Sequence, residues 1–188
     1  MRLIGLHGRA GAGKDTIATV LGQLHAFSRL AIAGPIKDGL IAMLGLSRFE
    51  LEDPFAKEKV IPWLGKSPRQ LMQSLGTEWA RERVHTDIWL RRLEQRLAHH
   101  RKFAHDGTVV TDVRFENEAD WIRRQGGEIW HVLRPNGGNV VPLHASEHAL
   151  PIVLGTDSVI DNAAGLDQLR DQVRRALEGE CIVHAPAA

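Results

Sequence analysis

The sequence predicts an α/β fold in which a parallel sheet is covered by helices on both faces. Two observations carry this reading. Short apolar or β-branched runs alternate along the chain with segments whose apolar residues recur at helical spacing, and such alternation builds parallel sheets. The first of those runs feeds a glycine-rich stretch that opens a helix, the arrangement in which backbone amides gather around phosphate oxygens.

Arg2-Leu3-Ile4-Gly5-Leu6-His7 has the length and composition of a buried parallel strand, and Ile17, Val20, Leu21 and Leu24 mark one face of the helix that follows. Between them lies Gly8-Arg9-Ala10-Gly11-Ala12-Gly13-Lys14-Asp15-Thr16. Its Gly8-x4-Gly13-Lys14 spacing is that of a P-loop: successive N–H groups wrap a polyphosphate at a helix N-terminus while Lys14 neutralises the outer phosphates. A glycine turn that binds nothing is the bland alternative, and the strand and helix flanking this one argue against it. Where a P-loop ordinarily has Ser or Thr after the lysine, this chain has Asp15, with Thr16 one place later. Either Asp15 meets a Mg²⁺, directly or through water, or Thr16 rotates in to do so; as an ordinary first-turn acid Asp15 would serve only the helix dipole.

Arg29 to Ala33 reads as a second strand, closed by Gly34-Pro35 before an apolar helix from about residue 36 to 44. Lys37 and Asp38 fall in that helix's first turn, at the sheet edge where ligands of open α/β sheets bind, though Lys37 could equally be a solvated charge. Residues 45–66 look irregular, either a flap or a surface connection. Ser67-Pro68-Arg69-Gln70 is a helix start: Ser67 as N-cap, Pro68 first in the helix, and Gln70 completing a capping box. Leu71, Met72, Leu75 and Trp79 form its expected buried stripe. Arg69 projects from the first turn, either toward an anion or simply into solvent.

Thr86-Asp87 caps another helix with Leu90, Leu93 and Leu97 at core spacing. Its Arg91, Arg92, Arg96 and Arg101 read as a solvated face, since no aromatic or glycine-rich element interleaves with them as in a nucleic-acid surface. Thr108 to Thr111 is a β-branched strand ending in Asp112, followed by Val113-Arg114-Phe115. A carboxylate at such a strand end holds Mg²⁺ in P-loop proteins, or else caps the next turn. Asn117 opens a helix that ends before Gly126-Gly127, and Glu128 to Leu133 is the next strand, ending at Arg134-Pro135. A loop then runs through Pro151 to a short strand at Ser158–Asp161 and a last helix with Leu166, Leu169, Val173 and Leu177 as its stripe.

At 188 residues the chain fits one domain, expected over 1–180 with a tail at 181–188. A net charge of +1, from 24 basic and 23 acidic residues, gives no global field calling for nucleic acid or an anionic membrane. The lone Cys181, the absence of a long apolar run and an N-terminus unlike a signal peptide point to the cytoplasm. His144-Ala145-Ser146-Glu147-His148 fits the H-x-x-E-H zinc signature, but Pro142 and Pro151 hem in the helix that signature needs, so coincidence is the better account.

Within P-loop proteins, a GTPase is disfavoured: Asn117-Glu118-Ala119-Asp120 lacks the lysine of the guanine motif, and no D-x-x-G is present. An ATPase motor is longer and pairs two acids at the strand end where Asp112 stands alone. What fits is a small-molecule kinase.

The chain resembles the phage-type deoxynucleoside monophosphate kinases. The resemblance rests on Gly13-Lys14-Asp15-Thr16, Gly34-Pro35-Ile36-Lys37, the block from Ser67 through Arg69, Gln73 and Gly76 to Glu78, Thr111-Asp112-Val113-Arg114-Phe115 with Asn117-Glu118, Gly126-Gly127, Arg134-Pro135 and Ser146-Glu147. It implies a P-loop nucleoside-monophosphate-kinase-like fold with a five-stranded parallel sheet, and transfer of the ATP γ-phosphoryl group to a dNMP. It implies ATP on Gly8 to Thr16, Lys14 on the transferring phosphate, and Asp112 acting through Mg²⁺ alongside Asp15 or Thr16. Arg69, with Lys37 and Gln73, would hold the acceptor nucleotide, and Arg114 and Arg134 are candidates for neutralising charge at transfer. The implied partners are small nucleotides, not nucleic acid or membrane, with a homodimer left open. A kinase of dephospho-coenzyme A or phosphomevalonate type, or a non-catalytic nucleotide switch, is the alternative.

Overall fold

Five short strands form one sheet: β1 (Arg2–His7), β2 (Ser28–Leu30), β3 (Gly107–Val110), β4 (Glu128–Leu133) and β5 (Ser158–Asp161). Their order is β2-β3-β1-β4-β5 and every neighbouring pair is parallel. In this computed structural model residues 1–103, 105–134 and 150–180 are described. The helices are α1 (Lys14–His25), α2 (Gly34–Leu44), α3 (Arg48–Glu52), α4 (Pro68–Gln73), α5 (Ile88–His100), α6 (Glu116–Arg124) and α7 (Leu166–Leu177), with a 3₁₀ turn at Ala56–Glu58 and a π-helix at Ser74–Val84. The chain divides into two compact units, Met1–Ala31 with the chain from Glu94, and Ile32–Leu93. Among the described residues no helix is long and apolar enough to cross a membrane.

The first unit is built on the sheet. Ile4 and Leu6 of β1, Val109 of β3, Trp130 and Val132 of β4 and Ile160 of β5 pack with Ile17, Val20 and Leu21 of α1 and Leu169, Val173 and Ala176 of α7. Each such buried Val, Leu or Ile side chain stabilises the fold by about 1.5–3 kcal/mol. On the opposite face Gly5 lets α6 come close, since a Cβ there would lie 2.7 Å from both Ile122 Cδ1 and Ile129 Cδ1. Sheet faces covered on both sides follow, as the alternation of strands and helices predicted.

In the second unit Ile36, Leu40, Leu51, Ala80, Trp89, Leu90 and Leu93 are buried. Helix α4 begins as its sequence dictates: the Ser67 hydroxyl accepts from the Gln70 N–H (3.3 Å) and the Ser67 N–H donates to Gln70 Oε1 (2.9 Å). From Ser74 the winding widens to π, and this corrects the expected stripe. Trp79 is 51% exposed, while Gly76 and Ala80 turn inward. A π turn holds more residues than an α turn, so a face counted at 3.6 residues per turn drifts off the core. The Gly76 carbonyl there accepts the Trp89 indole N–H at 2.8 Å.

Smaller differences have local causes. β2 spans Ser28–Leu30 instead of Arg29 to Ala33, and α6 starts at Glu116, one residue before Asn117. Leu24 and Leu166, at helix ends, are exposed. The stretch expected to be irregular contains α3, capped by a box of Ser47 and Glu50. Arg96 leaves the solvated face to donate to the Ala31 carbonyl at 2.7 Å. The H-x-x-E-H segment, Pro135 and Pro142, the Ser146-Glu147 pair and Cys181 lie outside the described residues.

Candidate active site

β1 ends at the centre of the sheet, and the loop that leaves it is shaped by two glycines above all. Gly8 has φ +153°, and a Cβ on it would meet the Val132 carbonyl oxygen of β4 at 2.5 Å. Gly13 has φ +102°, and its Cβ would fall 2.2 Å from Asn162 Nδ2. Neither position tolerates a side chain. Between them the Ala12 N–H donates to the Arg9 carbonyl at 3.2 Å, and Gly13 caps α1 without contributing a side-chain bond to the helix's first amides. Those amides carry the positive end of a 12-residue helix. The Lys14 ammonium reaches back across the loop to the carbonyls of Gly8 (2.6 Å) and Arg9 (2.8 Å).

Two side chains from neighbouring strand ends brace this loop. Arg134, just past β4, donates from Nη1 to the Gly11 carbonyl at 3.2 Å. Asn162, just past β5, donates from Nδ2 to the Ala12 carbonyl at 2.8 Å, while its own N–H is tied to the Leu133 carbonyl at 2.7 Å. Sequence reasoning missed Asn162. The available signal was a polar residue immediately after a parallel strand, on the edge where the loop lies. Asp15 is 81% exposed and pairs with Arg29, and Thr16 is exposed on the same turn.

Asp112 sits two residues beyond β3 and is half-buried. It is bracketed by two sheet-like bonds, Thr111 N–H to the Leu30 carbonyl (3.0 Å) and Val113 N–H to the Leu6 carbonyl (3.1 Å). Asp112 is thereby held at the C-terminal edge, between the ends of β2 and β1. The turn after it is closed by Glu118, 1% exposed, whose Oε2 accepts from the N–H groups of Arg114 (2.7 Å) and Phe115 (3.1 Å). Arg114 itself is exposed.

Beneath the loop runs a buried polar chain that the sequence did not flag. His7 Nδ1 donates to the Val113 carbonyl at 3.0 Å and Nε2 accepts the Leu150 N–H at 3.3 Å, so both ring nitrogens are used. Its ring meets that of His131, its register partner on β4, edge-on at 5.5 Å between centroids. His131 Nε2 in turn donates to Asp157 Oδ2 (3.2 Å), and Arg123 grips the same fully buried carboxylate with Nε (3.1 Å) and Nη2 (2.6 Å). Burial pushes the pKa of His7 down, as do the charges of His131, Lys14 and Arg114, against the Val113 bond. Burial likewise lowers His131. Burial works to raise Asp157, but Arg123, the Val153 amide and His131 outweigh it and leave the carboxyl below its ordinary range.

The residues expected on the acceptor side lie in the second unit. Lys37 is in the first turn of α2, Arg69 in the first turn of α4, and Gln73 ends α4; α2 and α4 pack on one another. Lys37 Nζ pairs with Glu52 Oε1 at 3.1 Å and Arg69 Nε with Glu58 Oε1 at 2.5 Å. Burial works to raise the Glu52 carboxyl, but Lys37 and Arg48 beside it leave it below its ordinary value.

The sequence profile of the deoxynucleotide monophosphate kinase family matches residues 58–173, from the end of the 3₁₀ turn to α7. Relatives match over nearly the whole chain. A deoxynucleoside-5'-monophosphate kinase of Escherichia phage T5 is 28% identical, covering 91% of this chain and 94% of its own. A deoxynucleotide monophosphate kinase of Enterobacteria phage T4 is 26% identical, covering 95% and 99%. A protein of Acanthamoeba polyphaga mimivirus that carries the same name provisionally is 30% identical over 92% of this chain and 94% of its own. Among solved structures, a sugar kinase from a Janibacter species superposes with a TM-score of 0.52 at 16% identity, covering 100% of this chain and 99% of that one. A gluconokinase from Sinorhizobium meliloti does so with 0.53 at 12% identity, covering 96% and 93%. At such identities these two share the fold and nothing more is drawn from them. A family profile spanning more than half the sequence, together with relatives matched over nearly their whole length, places this chain in the deoxynucleotide monophosphate kinase family.

Proposed function

We propose that the chain transfers the γ-phosphoryl group of ATP to a deoxynucleoside monophosphate, releasing ADP and a deoxynucleoside diphosphate. Residues 1–180 are read as one kinase domain working on small nucleotides in the cytoplasm. The observation that carries the reading is the Gly8–Thr16 loop, whose two side-chain-intolerant glycines and uncapped helix amides make an anion cradle. Lys14 exchanges the carbonyls of Gly8 and Arg9 for phosphate oxygens, and Arg134, already at the loop, adds a second positive charge. Arg114 is the further candidate for that task. Arg69, Lys37 and Gln73 hold the acceptor's phosphate.

The donors at the strand edge fit Mg²⁺. Asp112 offers a carboxylate and Thr16 a hydroxyl, hard oxygen ligands of the kind Mg²⁺ takes one or two at a time, leaving phosphates and water to complete its shell. Asp15 is the other candidate, at the cost of its pairing with Arg29. The ion supplies charge neutralisation on the phosphates when bound. The acceptor's phosphate oxygen is ionised at neutral pH, so no general base is needed, and the residues act by positioning and by opposing charge.

The test is ADP release with each of the four dNMPs, with their ribonucleotide counterparts and with no acceptor. ADP formation that requires a dNMP is expected. ADP formed without acceptor, or only with another phosphorylated metabolite, overturns the assignment.

A further inference from the structure

The cations assigned to the acceptor's phosphate already have anionic partners, and both partners come from one short stretch of the second unit. Glu58, in the 3₁₀ turn, accepts from Arg69, and Glu52, the last residue of α3, accepts from Lys37. The pairs are lopsided in exposure. The Arg69 and Lys37 side chains are 24% and 22% exposed, whereas Glu58 and Glu52 are 50% and 46% exposed. The cations are recessed and the carboxylates lie on the solvent side, where an arriving anion would meet them first.

The local architecture suits exchange. Glu52 also accepts from Arg48 at 3.3 Å, and Arg48 pairs with Asp38 at 2.6 Å, so Glu52 keeps a cationic neighbour when Lys37 turns away. Glu58 sits on a single three-residue turn, which is entered through the Asp53 carboxylate accepting the N–H groups of Phe55 (3.0 Å) and Ala56 (2.8 Å). Glu58 is held in the turn by its own N–H donating to the Phe55 carbonyl (3.2 Å), and its half-exposed carboxylate can swing aside without breaking that bond. A carboxylate and a phosphate monoester compete for the same guanidinium and ammonium donors, but the phosphate brings up to two charges and three acceptor oxygens against one and two.

We propose that Glu52 and Glu58 are placeholder carboxylates, which hold Lys37 and Arg69 in place until the acceptor's phosphate displaces them and which thereby set the enzyme's affinity for its acceptor. The inference rests on the acceptor-site reading above and adds to it a competition built into the site. Partly exposed ion pairs are weak, so the competition is modest, equivalent to about 2- to 5-fold in acceptor affinity.

The decisive experiment is a double-mutant cycle read as KM and kcat for dNMP, with KM for ATP as an internal control. Glu58→Gln lowers KM for dNMP by about 2- to 5-fold with kcat and the ATP KM unchanged. In the Arg69→Ala background the same Glu58→Gln change has no effect, because the competed-for cation is gone. Glu52→Gln repeats the pattern against Lys37→Ala, and thermal melts of each variant guard against loss of fold. An unchanged or raised KM in Glu58→Gln overturns the proposal. So does a fall in KM that persists in the Arg69→Ala background, which would mark a general charge effect. Should Arg69→Ala leave the dNMP KM untouched, the acceptor-site reading itself fails and this proposal with it, an outcome distinct from the other two.

Discussion

His7 closes β1 immediately ahead of the glycine loop, and its two hydrogen bonds admit only the neutral ring, Nδ1 donating to Val113 and Nε2 accepting from Leu150. His131, Lys14 and Arg114 face it and oppose a positive charge, and His131 is itself pushed down by burial. A histidine depressed in the fold binds fewer protons there than in the unfolded chain. The stability it represents is therefore intact above the ordinary value of 6.5 and is lost as pH falls through the lower native value. Asp157, also depressed, adds a second loss below its ordinary 3.8. Urea midpoints should thus decline from about pH 6.5 downward, in two stages. A midpoint that stays flat from about pH 7 to 5 would contradict the buried histidine chain. Lys14 makes a different prediction at the same scale. Its ammonium bonds the exposed or half-exposed loop carbonyls of Gly8 and Arg9 and plays no part in the core, so Lys14→Ala should leave the melting temperature nearly unchanged while lowering kcat by about 10²- to 10³-fold or more. Near-normal turnover in the folded variant would remove the loop from the chemistry.

Among the elements, β1 is closely packed at Gly5. A methyl group on Gly5 would press on Ile122, Ile129 and, at 3.0 Å, Val113. Gly5→Ala should therefore cost about 1–3 kcal/mol by overpacking, seen as a lower denaturant midpoint at constant m; a neutral result would mean that α6 is free to withdraw. What was legible in the sequence follows a physical divide between local and long-range causes. The strands, the loop and the start of α4 were legible because β-branched runs, glycine spacing and a Ser67–Gln70 capping box are written in adjacent residues. The Ser47–Glu50 box is equally local, but the charges and prolines around it mask the short helix it starts. The π-helix was not legible: its inward Gly76 is set by Ile36, whose Cδ1 lies 2.8 Å from the missing Cβ, and by the Trp89 indole, neither of them a neighbour in sequence. For the same reason the candidate site was visible as loop, strand-end acid and scattered cations, but not as Asn162 on Ala12 or Glu58 on Arg69. Those contacts span 150 and 11 residues, and nothing periodic announces them.

At the scale of the molecule, the residues proposed for the donor belong to one compact unit, Met1–Ala31 with the chain from Glu94, and those proposed for the acceptor, Lys37, Arg69 and Gln73, to the other, Ile32–Leu93. Phosphoryl transfer needs both ligands, but each binding event is assigned to its own residues, and mass action lets the two be measured apart. A ligand that binds only the folded state stabilises it by about 2.7 kcal/mol at 100 times its Kd. ADP with Mg²⁺ and dNMP should therefore each raise the melting temperature of the chain. If Arg69 holds the acceptor's phosphate as proposed, Arg69→Ala should remove a charge-assisted contact worth about 1.5–3 kcal/mol, a loss of roughly 10- to 150-fold in acceptor affinity. At a fixed dNMP concentration its melting shift should nearly vanish while the ADP shift persists, and Lys14→Ala should show the reverse. Arg69→Lys should restore only part of the dNMP shift, because a point charge does not reproduce the planar fork. If Arg69→Ala abolishes the ADP shift and spares that of dNMP, the two substrates have been assigned to the wrong units; if it spares both, Arg69 serves the local structure, its pairing with Glu58 included, and not the acceptor.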